Sequence, residues 1–129
     1  MIFFFYSCDP AYRAFIVNDT PNDILIELQF DSLELKKYWG DKSYIPYLNG
    51  AVREGGTLIS FDTIALNAAI KLGNNQDFEI EGGIVSRPDF KLLQKIIIFT
   101  PDTISLYNKD KMFNAFTKIK SRKLELRLK

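Results

Sequence analysis

The chain has 129 residues, a formal net charge of +1, no histidine and a single cysteine, Cys8. That length predicts one globular domain, 1–129, with a core that needs no disulfide or metal staple. The missing imidazole removes Ser-His-Asp and Cys-His devices, the usual neutral-pH general base and histidine-ligated zinc.

Turn signals divide the chain into short apolar runs. Ile2–Tyr6 opens it as a strand candidate, and Asp9-Pro10 ends that run. Tyr12–Val17 follows and is joined to Ile24–Phe30 across the Asn18–Asp23 loop. In the latter, Ile24, Ile26, Leu28 and Phe30 alternate with Leu25, Glu27 and Gln29, the period of a half-buried strand. A helical turn is expected near Ser32–Tyr38, with Ser32 as its cap. Tyr44–Leu48 contains Pro46, so as a strand it belongs at an edge. Thr57–Phe61 reads as a strand. Ser60 or Asp62 then caps a helix running to Leu72, with Gly73 just beyond its end. Phe78–Ile80, Lys95–Phe99 and Ile104–Tyr107 are further strands. A second helix over about Lys109 to Lys118 would turn Met112, Phe113 and Phe116 inward. Lys123–Lys129 closes the chain as an amphipathic strand, with Leu124, Leu126 and Leu128 on one side. The expected class is α+β: a mostly antiparallel sheet of about six to nine short strands with one or two packed helices.

Charge is unevenly spread along this order. Residues 1–85 carry twelve Asp/Glu against six Lys/Arg, a net of −6, whereas residues 86–129 carry eleven Lys/Arg against four Asp/Glu, a net of +7. Asp77, Glu79 and Glu81 alternate with Phe78 and Ile80, so on a regular strand the three carboxylates share one face. Such a face suits a cationic partner. Asp19, Asp23, Glu27, Asp31 and Glu34 are further acidic candidates. The segment Lys36–Tyr44 adds Asp41 and aromatic groups, with Tyr38 or Tyr44 expected at the surface and Trp39 partly buried. The basic counterpart is Lys118, Lys120, Arg122, Lys123, Arg127 and Lys129, which would neutralise phosphates in a nucleic-acid-binding reading. Walker A, GxGxxG, GxSxG and calcium-loop patterns are all absent. A carboxylate-only enzyme stays open on these grounds. Cys8 reads as a small buried hydrophobe. Lacking a basic leader or a long apolar run, the chain is expected in the cytoplasm, with neither cofactor nor metal.

The stretch Phe4-Phe5-Tyr6-Ser7-Cys8-Asp9-Pro10-Ala11-Tyr12-Arg13-Ala14-Phe15, followed by Tyr38-Trp39, the Ser60–Leu72 segment and Phe78-Glu79, resembles small bacterial immunity proteins of polymorphic-toxin and contact-dependent inhibition systems. The similarity covers about the first eighty residues. It implies a non-enzymatic protein that binds a cognate toxin domain, commonly a nuclease, one to one and blocks its active site. Charge clustering places that contact at Asp77, Glu79 and Glu81, with Asp19, Asp23, Asp41 and Tyr44 as additions. The alternative is a nucleic-acid-binding accessory protein working through the basic C-terminal segment.

Overall fold

The computed structural model describes residues 12–40, 44–53, 55–84 and 89–129. The Ile2–Tyr6 run, Cys8 and Asp41 lie outside them. In chain order the elements are β1 (Tyr12–Asn18), β2 (Ile24–Phe30), α1 (Ser32–Trp39), α2 (Tyr44–Ala51), β3 (Thr57–Asp62), β4 (Asn67–Leu72), β5 (Asp77–Ile84), β6 (Leu93–Phe99), β7 (Ile104–Leu106), α3 (Lys109–Ala115), β8 (Thr117–Lys120) and β9 (Lys123–Leu128). The class is the expected α+β, but the strands form two sheets. One has the order β5-β1-β9-β8 and the other β3-β4-β2-β6-β7. All pairings are antiparallel except β1 with β9.

The two sheets and the helices share one apolar core. Ile16, Phe78 and Leu124 come from the four-stranded sheet, and Ile26, Ile70, Ile96 and Ile98 from the five-stranded one. Leu35, Leu48 and Met112 enter from α1, α2 and α3. Each such side chain contributes about 1.5–3 kcal/mol on burial. Phe90 and Phe116 pack ring to ring at 5.0 Å on the stretches leading into β6 and β8.

The sequence misleads at four places. Ser60–Leu72 is a β3–β4 hairpin and not a helix. Ala68, Ile70 and Leu72 are buried while Asn67 and Lys71 are exposed, a period of two. Ile64, which a helix would bury, is 94% exposed. The cap signal at Asp62 is nevertheless used: its Oδ1 accepts from the Ile64 and Ala65 amides at 2.9 and 3.0 Å. One turn forms and stops at Leu66, whose φ is +60°. Pairing of β4 between β2 and β3 then outweighs a second turn. Tyr44–Leu48 is likewise helical, part of α2. Pro46 lies in its first turn, where the amide it lacks has no intrahelical partner to lose.

The α1 cap is Asp31 and not Ser32. Its carboxylate accepts from the Leu33 and Glu34 amides at 3.1 and 3.2 Å. The last helix is shorter than expected. Asn108 caps α3, which buries Met112 and leaves Phe113 exposed. Beyond Phe116 the chain extends as β8 and turns at Ser121-Arg122 to pair with β9.

Gly55 and Gly56 set how α2 returns to the sheets. At Gly55, with φ +112°, an added Cβ would lie 2.2 Å from the Asp77 carbonyl oxygen. The connection therefore presses directly on the backbone of β5, an edge strand, and side chains are excluded there.

Candidate functional site

The acidic triplet is broken by a bulge. Asp77 pairs with Val17, Phe78 with Ile16 and Glu79 with Phe15, but the next partner, Ala14, faces Glu81. Ile80 is thus the extra residue, and Glu81 turns to the side of the fully buried Ala14. The expected single carboxylate face does not exist. Glu79 remains on the outer side and pairs with Arg13, whose guanidinium also lies over the Phe15 ring. Glu81 Oε2 accepts from the Phe90 amide at 3.1 Å. Burial pushes Glu81 up to about 7, against the lowering effects of the Phe90 amide and Lys109, while Asp89 adds to the rise. Both residues line a hollow of about 370 Å³ beside Pro46, Gly50 and Ala51 of α2. Their carboxylates leave opposite sides of β5, and each is already engaged.

Of the other predicted residues, Asp19 and Asp23 lie in the loop that meets the turn preceding Asp77. The Asn18–Asp23 loop and the Gly73–Gln76 turn meet at one end of the sheets. Buried Asn18 ties them together, its Nδ2 donating to the Asn22 and Leu72 carbonyls at 2.8 and 2.9 Å. Its backbone amide donates to the Gln76 carbonyl, and its carbonyl accepts from the Asn75 amide. Asp19 pairs with Arg127 at 3.2 Å and Asp23 with Lys71 at 3.9 Å. Tyr44 opens α2, and Asp41 falls outside the described residues. Tyr38, expected at the surface, is exposed.

The basic C-terminal segment is also divided. Across β1 and β9, Arg13 faces Lys123, Phe15 faces Glu125 and Val17 faces Arg127. Glu125 is buried between two cations: Arg127 at 2.9 Å and Lys123 at 3.5 Å. The Glu125 carboxylate, with Asp19, raises the Arg127 pKa. Lys118 pairs with Leu124 but Lys120 with Lys123, so the irregularity between them sends the two lysines to opposite sides. The charge division therefore runs along the chain and not through space. β1 lies between acidic β5 and basic β9, and ion pairs neutralise much of the four-stranded sheet's outer face.

The outer face of the five-stranded sheet differs. Three rows cross it: Thr57, Lys71, Leu25 and Phe99; then Ser60, Ala69, Glu27, Ile97 and Ser105; then Asp62, Asn67, Gln29 and Lys95. Ser60 and Ala69 are small, while Glu27, Gln29, Asp62 and Lys95 around them are long. This contrast leaves a groove of about 480 Å³, floored by Ala69 and Ile97. The volume falls within the roughly 300–1,000 Å³ of small-ligand sites. Glu27 is exposed and has no ion partner among the described residues. Asp62 is held ionised below the usual carboxylate range by the Ala65 and Ile64 amides. Glu27 was legible as an outward acid on an alternating strand. Asp62 was hidden because the same capping signal suggested a helix, which would have removed β4 from the sheet.

Among the described residues no cluster of His, Cys, Asp or Glu could hold a metal ion, and no helix is long and apolar enough to cross a membrane. Comparison with protein-family models, curated proteins and solved structures gave no match.

Proposed function

We propose that this chain is a non-enzymatic immunity protein that acts in the cytoplasm, binding a cognate toxin domain, a nuclease, one to one and blocking its active site. The observation that carries the reading is the groove on the outer face of the five-stranded sheet, which no described element covers. It offers an apolar floor and, beside Lys95, two carboxylates without an ion pair among the described residues, a surface suited to a basic protein. The nucleic-acid alternative loses support because Lys123 and Arg127 are held by Glu125 and Asp19, and Lys118 and Lys120 diverge. A continuous phosphate track needs free cations on one side.

The test begins with the gene's neighbourhood, where the reading expects a toxin gene directly upstream, and continues with co-expression of the toxin domain found there; a neighbourhood without one counts against the reading. Restored growth together with a one-to-one complex in calorimetry supports the reading. Continued toxicity with no complex overturns it. Glu27→Lys, a reversal on an exposed strand position, should weaken the complex about tenfold or more.

A further inference from the structure

We propose that the groove on the five-stranded sheet is a socket for a guanidinium group, an arginine side chain presented by the partner protein. The inference rests on the protein-binding reading above and specifies what the groove recognises.

The floor, built from Ala69 and Ile97, is apolar, and polar Gln29, Ser60 and Asn67 line the groove around it. An ammonium gains little from such a surface because it is strongly hydrated on all sides. A guanidinium is planar, its faces are weakly hydrated and its five N–H groups point outward in the plane. It can rest on the floor and direct donors to both rims. One rim is Glu27 on β2, the other Asp62 on β3, with β4 between them. They lie two strands apart and in neighbouring rows, Glu27 level with Ala69 and Ser60 and Asp62 level with Asn67 and Gln29, so roughly 11–12 Å separates them at the backbone. A compact ammonium would satisfy one carboxylate at a time, whereas a guanidinium presents donors at both edges.

The rims are prepared for this role. Asp62 Oδ1 is fixed by two backbone amides of its own turn, which leaves Oδ2 without a bond among the described residues. Gln29 donates from Nε2 to the Ala65 carbonyl at 3.3 Å, bracing the same turn. Lys95, the single cation lining the groove among the described residues, stands in the row of Gln29, on β6 at the far side from Asp62. It is the diagonal neighbour of Glu27 on the same face, one strand away, so its repulsion falls at the Glu27 end and an arriving cation enters from the Asp62 side.

The experiment uses the full chain, labelled with nitrogen-15 and titrated with N-acetyl-arginine amide. N-acetyl-lysine amide and the uncharged near-isostere N-acetyl-citrulline amide are the comparison probes. Saturable shifts centred on Glu27, Ser60, Ala69 and Ile97 are expected with the arginine probe. Binding should be several-fold weaker for lysine and undetectable for citrulline. Glu27→Gln should weaken the arginine probe about tenfold, the loss of one charge-assisted contact. Ala69→Leu, which fills the floor, should abolish the shifts; its amide spectrum serves as the fold check. Equal response to citrulline, no saturable shift, or unchanged binding in Glu27→Gln overturns the socket. If a one-to-one toxin complex forms while the probe fails to bind, the socket falls and the immunity reading stands. If the probe binds as described and no toxin complex forms, the socket stands and the immunity reading falls.

Discussion

Replacing Glu81 by glutamine isolates the energetic consequence of the β5 bulge. The folded chain raises this carboxyl from 4.5 to about 7, chiefly through burial. The folded state therefore keeps a proton that the unfolded state has released between those two values. Stability from this group is fully present below about pH 4.5, declines as pH rises, and is lost above about pH 7. At about 1.4 kcal/mol per pKa unit, the change across that window is about 3 kcal/mol. Glutamine keeps the shape and a carbonyl oxygen for the Phe90 amide but cannot ionise. Urea unfolding from pH 4.5 to 8.5 should show Glu81→Gln matching the parent at the acid end. At the alkaline end it should be more stable by up to about 3 kcal/mol, with an unchanged m-value. Asp62 does not blur the comparison. Its pKa is lowered, so its contribution is present above 3.8 and fades only as pH falls below that value. Parallel stability curves for parent and variant across the whole range would refute the argument that the bulge buries this carboxylate.

Asn18→Ala should cost about 2–4 kcal/mol by equilibrium unfolding, since it removes the donor to the Asn22 and Leu72 carbonyls and an acceptor used by Thr20. Hydrogen exchange at Asn75 and Gln76 should accelerate in the same variant. Gly55→Ala should destabilise by about 2 kcal/mol or more, because φ is +112° and the new methyl collides with the Asp77 carbonyl. An unchanged melting temperature would disprove that contact. Phe90→Ala should cost about 3–5 kcal/mol through the cavity left against Phe116, read from the shift in urea midpoint.

The alternation of Ile24, Ile26, Leu28 and Phe30 determined β2 and its outward Glu27, because a strand's period of two is written in adjacent residues. The leucines of β9 and the α+β class were legible for the same reason. So was the absence of histidine chemistry, which is a matter of composition. Local signals failed where one pattern serves two outcomes. Asp62 makes the hydrogen bonds of a helix cap in a tight hairpin turn, and only the neighbouring strands decide that β4 extends. The triplet at Asp77, Glu79 and Glu81 would share a face on any regular strand. Pairing with β1 inserted Ile80 as a bulge and sent Glu81 inward. The charge division was visible in order along the chain, yet the parallel β1–β9 pairing placed the two signs side by side. The groove arose in the same way, since Ser60, Ala69 and Glu27 are far apart in sequence. Sequence thus determined which residues alternate and which chemistries are missing. Strand register, set by long-range pairing and burial, decided which charges meet and which remain free.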